Sequence, residues 1–143
     1  MLPKQPPTFP MLLPRLALET TLSRDGMFDG AWWPRTLHIE DELPDLITAL
    51  SAHYGHILRV GLDTSAWDTV PRSVQVHGLE VRIARFSASG DTMSLTRGLQ
   101  DQFVLLVVPP DTDPLLAATA MSRAAGSGNR ATAAELLAPG RPA

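Results

Sequence analysis

Hydrophobic and polar residues alternate along several segments of this 143-residue chain. A period of two is typical of a half-buried β-strand. The predicted strands are residues 15–22, 56–63, 73–77, 79–85, 91–97 and 100–108. Within the last of these, the run Phe-Val-Leu-Leu-Val-Val has no polar break, which predicts a central strand that is covered on both faces.

Three other segments repeat with the period of an amphipathic helix. They are residues 40–54, residues 114–125 and a short segment after Thr132. Gly55 is a natural end for the first helix, and Asp113 before a proline predicts the start of the second. Thr132 and Glu135 have the spacing of a capping box for the third.

The order of these elements indicates the fold class. Turn signals at His77-Gly78 and at Gly98 join successive strands into hairpins, which favours antiparallel pairing. We therefore predict an α+β domain at residues 15–138, with a mainly antiparallel sheet of about five to six strands and two to three helices on one face. A proline-rich disordered arm at residues 1–14 and a tail at residues 139–143 flank it. Residues 23–34 are predicted to form a loop.

Composition excludes several classes of site and location. The chain has no cysteine, so disulfides and thiolate metal sites are not available, which suits a reducing compartment. Its N-terminus has no signal-peptide pattern, and no apolar run approaches the roughly 20 residues that span a bilayer. We therefore expect a cytoplasmic protein without a membrane partner. A net charge of −3 argues against nucleic-acid binding.

Two loops combine tryptophan with arginine. The first covers residues 29–35 and has the sequence D-G-A-W-W-P-R, and the second covers residues 66–72 and has the sequence A-W-D-T-V-P-R. The structural interpretation is that the tryptophan rings close the open end of the sheet, while Asp29 and Arg35 hold the loop in place. The functional interpretation is a ligand surface, because arginine stacks on aromatic rings and binds anions through paired donors. If both loops lie at the same end of the sheet, they line one pocket.

Other candidate chemistry is sparse. Asp111 and Asp113 follow the last predicted strand, where turn formation and helix capping explain both, although paired carboxylates also suit acid–base work or a divalent cation. His53 and His56 have a spacing that some metal sites use but no evident third ligand. No nucleophile–base set is recognisable. We therefore predict no catalytic residue, no metal site and no cofactor.

Five motifs of the chain resemble an uncharacterised actinobacterial family of unknown function. They are D-G-A-W-W-P-R at 29–35, E-L-P-x-L at 42–46, A-W-D-x-x-P-R at 66–72, L-V-V-P-P-D-T-D-P at 106–114 and G-N-R-A-x-A-A-E-L at 128–136. The resemblance covers nearly the whole chain from about residue 15. It implies a single-domain bacterial cytosolic protein, and it implies no activity, cofactor or catalytic residue.

The leading functional hypothesis is a non-catalytic binding or interaction module, which presents a Trp/Arg-lined loop surface to a small anionic ligand or a protein partner. The candidate ligand-binding residues are Asp29, Trp32, Trp33, Arg35, Trp67, Asp68, Arg72 and Asp111. One alternative is a small enzyme that uses Asp29, Asp68 and Asp111 as acid–base groups, at least two of which must then converge in one cleft. Another is a homodimer that pairs through an edge strand or through the loop at residues 29–35.

Overall fold

The computed structural model describes residues 14–19, 26–85, 91–98 and 101–137. Apart from Pro14, the predicted arm lies outside these residues, and so does the whole predicted tail. The last residues of the predicted first strand, from Thr20 to Leu22, also lie outside them.

The described chain contains strands and helices, which confirms the α+β class. The strands are β1 (Leu16–Leu18), β2 (Gly30–Trp32), β3 (Ile57–Leu62), β4 (Ser73–Val76), β5 (Leu79–Arg85), β6 (Thr92–Arg97) and β7 (Asp101–Val107). The helices are α1 (Ile39–Tyr54), α2 (Pro114–Ala124) and α3 (Ala133–Leu137). A 3-10 turn, Thr64–Ala66, follows β3.

The strands form one mixed sheet in the order β1-β2-β7-β6-β3-β5-β4. Four of the six neighbouring pairs are antiparallel, but β2 runs parallel to β7 and β3 runs parallel to β5. The prediction of a mainly antiparallel sheet is therefore right in outline only, and the predicted number of strands is too small.

The additional strand is β2, which lies in the segment predicted as a loop. It has only three residues, and the Asp-Gly turn signal at residues 29–30 overlaps its start, so the sequence shows no alternation there. Its pairing with β7 defines it, since Gly30, Ala31 and Trp32 lie opposite Leu105, Leu106 and Val107. Gly30 also packs against β1, where a Cβ atom would lie 2.3 Å from the carbonyl oxygen of Ala17.

The helices lie on both faces of the sheet, so the prediction that they share one face is wrong. Trp32 and Leu105 belong to the apolar cluster that includes the buried side of α1. Their chain neighbours Ala31 and Leu106 belong to a second cluster, with α2 and α3. Successive residues of a strand point to opposite faces, so the two clusters are separated by the sheet. An amphipathic pattern indicates that a helix has an apolar side, but not which sheet face that side covers.

The prediction for the last strand is confirmed. β7 lies between β2 and β6. Leu105 belongs to the cluster on the α1 face and Leu106 to the cluster on the α2 face, and both are fully buried. No helix within the described part of the chain is long and apolar enough to cross a bilayer.

Candidate functional site

Several strand ends meet at one edge of the sheet. Because β2 is parallel to β7, and β6 is antiparallel to both β7 and β3, the strands β2, β3 and β7 all point the same way. Their carboxyl ends and the amino end of β6 therefore lie side by side. β2 lies within the first Trp/Arg loop, the second loop follows β3, and the segment that leads into α2 follows β7.

The two Trp/Arg loops meet at this edge. The rings of Trp32 and Trp67 stack with centroids 5.7 Å apart and planes 20° apart. Both rings are buried in the apolar cluster beneath α1. The backbone N–H of Asp68 donates to the carbonyl oxygen of Leu37 at 3.0 Å, and the Asp68 carboxylate pairs with Nδ1 of His38 at 3.0 Å. The second loop is thus joined to the first loop by a ring stack, and to the residues just after the first loop by two polar contacts.

A hollow of about 450 Å³ opens beside this junction. Its apolar lining residues are Pro34, Leu37, Ala66, Trp67, Val107, Pro109 and Pro110. Two carboxylic acids, Asp91 and Asp111, complete the lining. The four segments that end at this edge therefore contribute apolar walls and two carboxylates, and no described lining residue is basic.

Asp91 is the more buried of the two acids. Its carbonyl oxygen accepts a hydrogen bond from the N–H of Val107 at 2.7 Å, which fixes its position beside the last residue of β7. Burial raises the pKa of Asp91 above the ordinary value for a carboxylic acid, because desolvation disfavours the ionised form. Within the described chain, no side chain or backbone N–H donates to this carboxylate. Asp111, by contrast, is exposed at the rim.

We expect Asp91→Asn to stabilise the protein at neutral pH. A carboxyl group whose pKa is raised by folding contributes less stability as the pH rises from about 4 through the raised value. The uncharged amide should therefore increase the free energy of unfolding by less than about 1 kcal/mol near pH 7, a small amount because solvent screens a half-exposed group. Urea unfolding near pH 7 and near pH 3 measures this difference, which should vanish at the lower pH. Asp45→Asn, at an exposed position of α1, should give no gain, and a loss of stability for Asp91→Asn at pH 7 would contradict the prediction.

Trp33 lies on the other side of the sheet from Trp32. Its indole N–H donates to the carbonyl oxygen of Pro109 at 3.0 Å, and the Arg15 guanidinium stacks 3.8 Å from the centre of its ring. Arg15 also donates to the carbonyl oxygens of Trp33 and Pro34, both at 2.9 Å. Trp33 therefore ties the end of β2 to the end of β7. Sequence reasoning missed Arg15, which precedes β1 and whose partner is 18 residues away along the chain.

Neither arginine of the two loops lines the hollow. The backbone N–H of Arg35 donates to Oε1 of Glu42 at 3.3 Å, and Arg35 makes further contacts within the protein. Arg72 is exposed, and its carbonyl oxygen accepts a hydrogen bond from the N–H of Ile83 on β5 at 2.8 Å. Arg72 therefore lies beside β5, near the edge of the sheet that is opposite β2 in the strand order.

The three carboxylates of the enzyme hypothesis do not share the hollow. The Asp29 carboxylate accepts a hydrogen bond from the N–H of Val104 at 2.9 Å, so it lies at the amino end of β2, away from the hollow. Asp68 pairs with His38, as described above. Of the three, only Asp111 is a lining residue. Asp91, the second acid of the hollow, was missed because its only sequence signal is its position at the start of a strand.

The segment before α3, residues 126–130, has a structural role. The Asn129 amide group donates to the carbonyl oxygens of Phe28 and Ala124, both at 2.9 Å, and accepts from the N–H of Phe28 at 3.1 Å. These bonds attach the segment to the chain that enters β2.

Elsewhere in the described residues, no group of three or more His, Asp and Glu side chains is arranged to hold a metal ion.

Comparison with known proteins identifies a family but not an activity. The model of a family described as a family of unknown function, DUF5994, matches residues 15–124. The match includes both Trp/Arg loops, β7 and α2, and hence every lining residue of the hollow. No curated protein and no solved structure matches the chain.

Proposed function

The chain belongs to the DUF5994 family, whose function is unknown, and we propose that it is a binding module that holds one small organic molecule in the hollow. The observation that supports this is the size and polarity of the hollow. Its volume of about 450 Å³ is within the range of ~300–1,000 Å³ that is typical of small-molecule sites. Apolar walls with a few polar groups are the usual lining of such sites.

Rigid walls support the same proposal. The ring stack of Trp32 on Trp67 holds one wall in place, and both rings are buried. Pro109 and Pro110, whose φ angles are fixed by their rings, form another wall. In a pre-formed site, the ordering of side chains on ligand binding costs little free energy. The hollow is therefore suited to hold a ligand of modest size without a large rearrangement.

The binding role requires fewer specific side chains in the hollow than the enzyme hypothesis or the anionic-ligand hypothesis does. A carboxylate enzyme that uses Asp29, Asp68 and Asp111 needs at least two of them in one cleft, and only Asp111 lines the hollow. An anionic ligand depends on contacts from Arg35 and Arg72, which lie outside the lining. The present proposal places the ligand at the end of the sheet where the two Trp/Arg loops meet, as expected from the sequence. It does not require a contact between the ligand and an arginine.

The proposal is tested by titrating 2-phenylethanol, a small neutral probe with an apolar body, into the ¹⁵N-labelled protein. The largest shifts in the ¹H–¹⁵N spectrum should be those of the Trp67 indole N–H and of the amides of Leu37 and Val107. The amide of Leu136, which belongs to α3 on the other sheet face and lies outside the lining, should change little.

A matched pair of leucine variants locates the site by affinity. Leu37, at the hollow, is 40% exposed, and Leu115, on α2, is 77% exposed, so replacing either by alanine should affect folding little. Leu37→Ala should weaken the binding of 2-phenylethanol by about fivefold, because it removes about 1 kcal/mol of apolar contact. Leu115→Ala should leave the affinity unchanged. Equal effects of the two substitutions, or no shifts at the hollow, would contradict the proposal.

A further inference from the structure

We propose that the ligand of the hollow is an organic ammonium ion, that is, a small molecule with a protonated or quaternary amine on an apolar body. This inference rests on the proposed binding function and adds the chemical class of the ligand. It is carried by the two carboxylates, by the tryptophan wall and by the lack of basic side chains among the described lining residues.

The two carboxylates of the hollow have no partner within the described chain. Most other aspartates near the strand ends and turns are already engaged. The Asp29 carboxylate accepts a hydrogen bond from the N–H of Val104, and the Asp63 carboxylate accepts one from the N–H of Ser65. The Asp68 carboxylate pairs with the His38 ring, and the Asp101 carboxylate forms an ion pair with Arg97. Asp113 caps α2. Asp91 and Asp111 instead face a space that a ligand can enter. Two such carboxylates attract a cation and repel an anion.

The aromatic wall favours the same class of ligand. One face of the Trp67 ring is covered by Trp32, and the residue lines the hollow. An ammonium group that lies near a tryptophan ring and pairs with a carboxylate gains both a cation–π interaction and an ion pair. Quaternary ammonium groups are commonly recognised by aromatic side chains. No described lining residue is Lys, Arg or His, so none of these residues supplies a cation that would compete with a ligand for Asp91 and Asp111.

The burial of Asp91 gives independent support. Desolvation raises the pKa of Asp91, and no described charge compensates for it. A bound cation would favour the ionised form and thereby lower the pKa again. The protein thus keeps a half-buried carboxylate at some cost in stability, and a cationic ligand offsets that cost. An uncharged side chain at position 91 would avoid it altogether.

The remaining walls of the hollow indicate the chemical character of the uncharged part of the ligand. Leu37, Val107 and the prolines at 34, 109 and 110 present apolar surface, which suits an aliphatic or aromatic body rather than a sugar or a phosphate. The volume is that of a small molecule, since drug-sized ligands fill sites of ~300–1,000 Å³. The ligand is therefore a small amine, and not an extended basic peptide.

The test compares three probes with nearly the same body by isothermal titration calorimetry near neutral pH. They are 2-phenylethylamine, which is cationic, 2-phenylethanol, which is neutral, and 3-phenylpropionate, which is anionic. We expect the amine to bind at least about tenfold more tightly than the alcohol, because it adds an ion pair and a cation–π contact to the same apolar burial. The carboxylate should bind most weakly.

Three variants assign the selectivity to the hollow. Asp91→Asn and Asp111→Asn should each reduce the preference for the amine, measured as the ratio of its affinity to that of the alcohol, by about fivefold or more. Asp45→Asn, on the exposed surface of α1 and outside the lining, should change neither affinity. Asp91→Asn is expected to fold at least as well as the parent protein, so a loss of preference would not be due to unfolding.

The outcomes separate this inference from the proposed function. Equal affinities for the amine and the alcohol, with shifts at Trp67 for both, would overturn the ammonium inference and leave the binding module in place. Tightest binding of the carboxylate would also overturn it and would favour the anionic ligand. Binding of no probe at the hollow would remove both proposals.

Discussion

Replacement of Trp32 by alanine is expected to lower the free energy of unfolding by about 4 kcal/mol, which is typical of removing a fully buried tryptophan. Trp32 is 1% exposed, stacks on Trp67 and belongs to the cluster beneath α1. Its loss leaves a cavity between the sheet and α1 and removes the support of the Trp67 wall. Equilibrium unfolding in urea measures the difference, and binding of 2-phenylethylamine should be lost as well.

Two companion variants make this prediction specific. Trp32→Phe keeps an aromatic ring against Trp67, so it should lose less than about half as much stability as Trp32→Ala. Trp33→Ala removes a half-buried ring on the other sheet face, and should cost less than Trp32→Ala. If Trp33→Ala were the more damaging of the two, the assignment of Trp32 as the central ring of this edge would be wrong.

Replacement of Gly30 by alanine is expected to cost about 3 kcal/mol, at the upper end for overpacking. The added Cβ atom would lie 2.3 Å from the carbonyl oxygen of Ala17 and 3.0 Å from the Cα atom of Leu18, both of which are backbone atoms. Relief requires β1 and β2 to move apart, because a backbone cannot rotate away as a side chain does. Thermal or urea unfolding reports the loss.

Gly78 provides the control for this substitution. It lies in the turn between β4 and β5 with a φ of 80°, and a Cβ atom there meets nothing within 4 Å. Gly78→Ala should therefore cost only about 1 kcal/mol, the penalty of a left-handed backbone conformation. A cost for Gly30→Ala no larger than that for Gly78→Ala would show that the close approach of β1 and β2 does not constrain the fold.

Local signals in the sequence predicted most of the secondary structure. The first long helix was expected at residues 40–54 and is found at Ile39–Tyr54, with Gly55 at its end. Asp113 caps α2 as expected, through hydrogen bonds to the N–H groups of Leu115 and Leu116. Thr132 and Glu135 form the expected capping box. Each of these features depends on residues that are close in the chain, and such patterns can be recognised without the tertiary structure.

Long-range features were the ones that the sequence did not predict. β2 is stabilised by its parallel pairing with β7, about 75 residues away, and three residues are too few to show a period. The placement of α1 and α2 on opposite faces depends on how each apolar side meets the sheet, which no local pattern encodes. The parallel pair of β3 and β5 likewise depends on β4 lying at the sheet edge.

The candidate site was predicted in part for the same reason. Trp67 and Asp111 belong to the predicted set and line the hollow. Arg35, Arg72 and Asp29 belong to the same set, but none of them lines the hollow. Asp91 and Leu37 line the hollow without any motif of their own, because strand order alone brings them there. Closeness to a tryptophan along the chain therefore did not indicate whether a residue lines the hollow.

Intermolecular nuclear Overhauser effects from bound 2-phenylethylamine test the central claim, that the hollow beside Trp67 holds a small ammonium ligand. We predict contacts from the ring protons of the probe to the methyl groups of Leu37 and Val107, and from its aminomethylene protons to the indole of Trp67. Contacts confined to the second groove, formed by Ile47, Val76 and Leu79 between α1 and the β4–β5 hairpin, would contradict the claim, and so would the absence of any contact at saturating probe.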